Sequence, residues 1–116
     1  TQRLPRTVGE SIAKEMIFTA EIIDAQKALN IRLINKITSK ENLLNEAISL
    51  CRAIEKNGQI AVKSAKEAVN ISRNSSIQGG CLIERKIFSK LFSTDDQKIG
   101  MGGFLAKEKN IKFKNK

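Results

Sequence analysis

A chain of 116 residues with 21 Lys and Arg against 12 Asp and Glu carries a formal net charge of +9, and 41% of its residues are hydrophobic, an ordinary share for one globular domain. It has no histidine, which excludes imidazole acid–base catalysis, histidine-containing triads and most zinc or iron sites. The positive balance favours polyanionic partners such as phosphorylated cofactors, nucleic acid or acidic membranes, but five Phe without Trp or Tyr do not interleave with the cations as base-stacking modules need, so nucleic acid is a minority reading.

In chain order, residues 1–6 read as a short basic lead-in closed by Pro5. Thr7 and Glu10 have the spacing of a capping box, and Val8, Ile12, Ala13, Met16 and Ile17 share one face of a first helix ending near Thr19. Gly9, isolated, carries no signal of its own. Asp24 caps a short second helix over residues 25–31, with Ala28, Leu29 and Ile31 as its apolar positions. Residues 33–37, LINKI, alternate weakly and read as at most one short strand, whose ladder partner would have to come from outside the chain.

Thr38 and Glu41 predict another capping box, followed by the cleanest helical stripe in the chain: Leu43, Leu44, Ala47, Ile48, Cys51 and Ile54. Asn57-Gly58 ends that helix, with Gly58 available for a left-handed closing residue. A helix over residues 59–73 turns Ala61, Val62, Ala65, Ala68 and Val69 inward, and its alanines allow close packing. After the turn Asn74-Ser75-Ser76, a longer helix over residues 77–92 is apolar on more than one face, the pattern of an element covered by another chain or domain. Cys51 and Cys81 read as small core residues in a reducing, intracellular compartment. No apolar run has the length of a membrane span, and no signal peptide opens the chain.

The most unusual stretch is residues 94–109, TDDQKIGMGGFLAKEK. Thr94 and Gln97 have capping-box spacing, and Asp95 and Asp96 place negative charge at the positive end of a helix dipole. Gly100, Gly102 and Gly103 each cost about 1 kcal/mol relative to alanine inside a helix, which implies that another helix, another subunit or a ligand approaches the backbone there. Phe104 then stands beside Lys107, Lys109, Lys112, Lys114 and Lys116. A flat apolar ring beside cations suits a planar base with phosphates; a fraying basic terminus whose phenylalanine packs on its neighbours is the plainer alternative. Asp95 and Asp96 are adjacent and lack a third carboxylate, so capping is preferred to a metal or acid–base pair. Glu84, between helical cations, reads as a solvated or locally paired charge, and Gly79-Gly80 lacks the Lys-Ser/Thr of a phosphate loop. The residues themselves present no catalytic centre.

Three blocks carry a resemblance: TQRLPRTVGESIAKEMIFTAEIIDAQKALNIRLINKI at the start, IAVKSAKEAVN from Ile60 to Asn70, and IERKIFSKLFSTDDQKIGMGGFLAKEK from Ile83 to Lys109 with the Phe113-Lys114 ending. Together they resemble the crotonase superfamily, specifically the enoyl-CoA hydratases, over essentially the whole chain. The resemblance implies a mainly α chain: the C-terminal helical and oligomerisation part (residues 1–116) of a crotonase-type α/β fold, with the N-terminal catalytic half absent. Such enzymes hydrate trans-2-enoyl-CoA to 3-hydroxyacyl-CoA, with two amides holding the thioester oxygen and two glutamates handling water and proton. In the family those groups lie upstream of the Gly-Gly-Thr-Gln-Arg motif, so the resemblance places no catalytic residue in these 116 residues. The start at Thr1, without Met and in mid-motif, agrees with a piece of a longer protein.

By the same resemblance, Phe104 and Lys107 are expected to contact coenzyme A in a neighbouring subunit, near its adenine and ribose phosphate. The implied partners are an acyl-CoA substrate and further copies in a homotrimer or hexamer. Coenzyme A enters only as part of the substrate, with no permanently bound cofactor, metal or membrane. The implied location is intracellular, mitochondrial matrix in a eukaryote or cytoplasm in a bacterium. The alternatives are a methylglutaconyl-CoA hydratase, an enoyl-CoA isomerase relative, or an RNA-binding crotonase-like protein. Three departures stand out: Arg32 and Ala20 occupy positions where the family usually has Gly, and one extra residue separates Lys107 from Phe113.

Overall fold

Two short helices open the chain, α1 (Arg3–Val8) and α2 (Glu10–Thr19), where one helix is predicted. The computed structural model describes residues 1–108 and 110–116. Gly9 makes the break: at φ 87° and ψ 157° it leaves helical space, and a side chain would be strained there. Its N–H still donates to the Pro5 carbonyl at 2.9 Å, and its carbonyl accepts from Ala13 at 3.1 Å, so one residue ends one helix and starts the next. The expected Thr7–Glu10 capping box is therefore corrected. Thr7 lies inside α1, its hydroxyl donating to the Arg3 carbonyl at 3.2 Å. Pro5 does not close the lead-in either, because it occupies the first turn of α1, where a missing N–H removes no helical bond.

The described residues form two units, Thr1–Glu46 and Ala47–Lys116. In the first, α1 and α2 pack together, and Ala13 and Ala28 are its buried apolar side chains. Helix α3 (Ala25–Asn30) is capped as expected, the Asp24 carboxylate accepting from the Lys27 N–H at 2.6 Å. Residues 33–37 form no strand: 33–35 bend, 36–37 are irregular, and among the described residues no ladder partner exists for them. Lys36 instead pairs through its ammonium with Glu46.

Both expected glycine positions adopt the left-handed conformation: Ala20 has φ 51° and Arg32 φ 61°. At Arg32 the closure is a full Schellman motif, with Leu33 N–H on the Ala28 carbonyl at 2.9 Å and Arg32 N–H on that of Leu29 at 3.0 Å.

Helix α4 (Leu43–Glu55) starts later than its predicted cap. Glu41 is held below the ordinary carboxylate range by its own backbone N–H first and the Ser39 hydroxyl second, so it serves the turn before the helix rather than a box with Thr38. In the second unit, α5 (Gln59–Ser72) and α6 (Ile77–Leu91) pack against each other. Ser76 caps α6 by accepting from Gly79 N–H at 3.1 Å, and Phe88 and Phe92 meet edge to face with centroids 5.2 Å apart. Gly58 is not left-handed: at φ −59° and ψ 117° it is the N-cap of α5, while the Asn57 amide closes α4 by donating to the Ala53 carbonyl at 3.2 Å. Cys51 and Cys81 are free and exposed, so the helices described here do not enclose them in a core of their own.

Much apolar surface faces solvent. Ile77 is 87% exposed and Ile22 96%, and Leu82, Phe88 and Phe92 on the two-sided helix are more than half exposed.

Candidate functional site

Helix α7 (Asp95–Leu105) follows from its first residues. The Thr94 hydroxyl accepts from Gln97 N–H at 3.2 Å and donates to the Leu91 carbonyl at 2.7 Å. The return bond of a full capping box is not formed, because the Thr94 N–H already donates to Leu91 at 3.0 Å. Asp95 is exposed at the first position, where a charge complements the dipole.

Asp96 has a second task that residue type did not reveal. It is 6% exposed, and its carboxylate accepts the backbone N–H of Lys114 at 2.6 Å and of Asn115 at 2.9 Å. The Asn115 side-chain oxygen accepts from Gln59 N–H at 2.9 Å, and the Lys116 carbonyl accepts from Asp95 N–H at 2.8 Å. The terminus is thus docked rather than frayed.

The glycines explain the docking. A Cβ on Gly103 would stand 2.4 Å from Ile111 Cδ1, and one on Gly100 would stand 3.4 Å from the Phe113 ring. A Cβ on Gly58 would stand 3.5 Å from the same Phe113 ring and 3.4 Å from Asp96 Oδ2. A Cβ on Gly102, on another face, would meet nothing within 4 Å. The body that approaches Gly100 and Gly103 is the chain's own C-terminal segment, not one of the three partners that the sequence suggested. Around Phe113, an apolar cavity of about 320 Å³ is lined by residues that include Ile60, Phe88, Leu91 and Met101.

Phe104 and Lys107 emerge at the other end of α7. Phe104 lies in the last turn and is 77% exposed; Lys107, also exposed, follows the C-cap Ala106. A second Schellman motif holds them together in sequence and space: Lys107 N–H donates to the Phe104 carbonyl at 3.2 Å and Glu108 N–H to that of Gly103 at 2.9 Å. Lys107 occupies the left-handed position itself, at φ 55°. The ion pairs of the described residues join Lys14 to Glu10, Lys27 to Glu21 and Glu15, and Lys36 to Glu46, and leave Lys107 out. An exposed ring and an unpaired ammonium one turn apart can stack on a planar base and meet a phosphate. Lys109, the other cation in that stretch, lies outside the described residues; Lys112, Lys114 and Lys116 are exposed along the docked tail.

Glu84 is exposed on α6, and no group of three or more Cys, Asp or Glu among the described residues is arranged to hold a metal ion. The residues that sequence reasoning missed are Ile111, Phe113 and Asn115, with Asp96 in its second task. The spacing of Gly100 and Gly103 on one helix face was the available signal.

The full chain, residues 1–116, matches the enoyl-CoA hydratase/isomerase family profile. It is 41% identical over 116 residues to the short-chain-enoyl-CoA hydratase of Clostridium acetobutylicum, spanning 100% of this chain and 44% of that protein. It is 42% identical to the mitochondrial enoyl-CoA hydratase of Pongo abelii over 94% of this chain and 38% of that one. Among solved structures it superposes on the enoyl-CoA hydratase subunit I of Geobacillus kaustophilus with TM-score 0.91 and 33% identity, over 99% of this chain and 44% of that chain. The chain therefore spans less than half the length of these relatives, and the helical units described above correspond to a part of their crotonase fold. On the profile match across its length, the chain belongs to the enoyl-CoA hydratase/isomerase family.

Proposed function

We propose that the protein to which these residues belong hydrates trans-2-enoyl-CoA thioesters to 3-hydroxyacyl-CoA, and that this part supplies assembly contacts and one side of the coenzyme A site while catalysis is supplied by the remainder. The observation that carries the reading is the exposed Phe104 one turn before Lys107, which no ion pair among the described residues includes, on a chain about 40% identical to enoyl-CoA hydratases. In an assembled protein the ring stacks on adenine and the ammonium meets the ribose phosphate of a neighbouring subunit's ligand. A hydratase needs an oxyanion hole and paired acid–base groups, and these come from outside these residues.

The exposed apolar side chains call for a cover, and the proposed cover is divided between the remainder of the protein and further copies. Full burial of a side chain such as Ile77 or Phe88 contributes about 1.5–3 kcal/mol, a gain available against the remainder of the protein as well as against another copy. A homotrimer, or two trimers in a hexamer, is the proposed state. The proposed site of action is the mitochondrial matrix or the bacterial cytoplasm, by analogy with the two kinds of relative; among the described residues no helix is long and apolar enough to cross a membrane.

The test is the hydration of crotonyl-CoA by the full-length protein, with residues 1–116 alone as control. Turnover by the former and none by the latter supports the proposal. Absence of turnover in a folded full-length protein, with activity instead on a branched thioester or in double-bond isomerisation, would move the reaction elsewhere within the family. Salt-sensitive RNA retention without thioester binding would move it outside enzyme chemistry.

A further inference from the structure

The last residues of the chain run back along α7 from its end to its start. Ile111 covers Gly103, Phe113 covers Gly100, Asn115 bonds to Asp96, and the Lys116 carbonyl reaches Asp95. The order along the tail is the reverse of the order along the helix, so residues 111–116 form an antiparallel strap on α7. Asn115 links the same strap to the first turn of α5 through Gln59. Its own φ of 60° is left-handed, a conformation that asparagine tolerates better than most residues.

A buried carboxylate is expensive to keep unless its oxygens are hydrogen-bonded. Asp96 is satisfied by the tail's backbone N–H groups and by its place at the positive end of α7, and no salt bridge among the described residues includes it. At the far end, Lys107 holds a left-handed backbone that a β-carbon disfavours, in a last turn of the kind that frays when nothing secures it. The body secured against that turn is Ile111, on Gly103.

We propose that Asp96 and Asn115 are positioning residues for the coenzyme A contact. They lock the strap, the locked strap seats Ile111 on Gly103, and this fixes the closing turn that presents Phe104 and Lys107. The inference rests on the coenzyme A reading above.

The test uses the full-length protein with Asp96→Ala, Asp96→Asn and Asn115→Ala. One readout is independent of ligand: the rate of tryptic cleavage after Lys112 and Lys114. The others are KM and kcat for crotonyl-CoA, and the ratio of affinities for coenzyme A and its 3′-dephospho form. Asp96→Ala is expected to speed cleavage, raise KM about tenfold with kcat changed less than about twofold, and lower the affinity ratio to that of Lys107→Ala. Combining it with Lys107→Ala adds no further loss of the ratio. Asp96→Asn, which keeps one acceptor oxygen, recovers part of each effect. If Asp96→Ala fails to fold, Asn115→Ala, which removes the bond to Gln59 N–H and leaves the backbone bonds to Asp96, carries the same directions at smaller size from an exposed position. Faster cleavage with an unchanged KM and ratio would overturn the positioning role while leaving the coenzyme A reading intact. A wild-type protein that does not distinguish the two ligands would overturn both, and unchanged cleavage would show that Asp96 does not hold the strap.

Discussion

The Asn115 side-chain oxygen accepts a hydrogen bond from the Gln59 N–H at 2.9 Å, joining residues 56 positions apart in sequence. That bond, with those of Asp96 to the tail amides, converts a lysine-rich terminus into part of the fold. The glycines of α7 are then distinguishable by what lies above them, and the distinction can be measured.

Gly103→Ala should destabilise the full-length protein by about 1–3 kcal/mol, because the new methyl overlaps Ile111 and the strap must lift or the helix must shift. Gly102→Ala, one residue earlier and facing open space, should instead stabilise by about 0.5–1 kcal/mol through the helix propensity of alanine. Urea denaturation of the two variants decides the matter; effects of the same sign would contradict the assigned faces.

Ala20 and Arg32 stand at positive φ, where a glycine removes steric strain. Each replacement by glycine is expected to stabilise by about 0.5–1 kcal/mol, since relief of a left-handed penalty of about 1–2 kcal/mol exceeds the entropy that glycine adds to the unfolded chain. The corresponding rise in melting temperature is the check, and a fall at both positions would show that the closing turns are not strained.

The helices whose boundaries were legible are those set by short-range chemistry. Asp24, three residues before Lys27, and Thr94, three before Gln97, announce α3 and α7, and the alanine stripe announces α5. Gly9 was opaque because a glycine inside an apolar period reads as tolerated, whereas here its φ of 87° splits the helix. The strap was opaque for another reason. Phe113 meeting Gly100 and Gly58, and Asn115 meeting Asp96 and Gln59, are pairings between distant residues with no periodic signature. The exposure of Cys51 and Cys81 likewise depends on which apolar face is covered, something periodicity alone does not rank. Phe104 and Lys107 came from resemblance; the structure adds that they share one closing turn and both face solvent.

Two surface groups make small pH-dependent contributions to stability. Lys27 is raised above its ordinary 10.5 mainly by its hydrogen bond to Glu21, so its contribution is complete below that pH and is lost as pH rises through the higher folded value. Glu41 is lowered below its ordinary 4.5, so its contribution is present above that pH and is lost on acidification through the lower folded value. Glu41→Gln should therefore slightly reduce the steepness of the acid limb of a stability profile and leave the alkaline limb unchanged, whereas Lys27→Met should do the reverse. Thermal melts across pH compare the limbs directly.

The part played by these residues in ligand binding is tested most directly by titrating the full-length protein and its Lys107→Ala variant with coenzyme A and with 3′-dephospho-coenzyme A. Loss of one charge-assisted contact predicts about a tenfold weaker affinity for coenzyme A, with the dephospho ligand changed little. Equal losses for both ligands, or none for either, would contradict the assignment of Lys107 to the ribose phosphate.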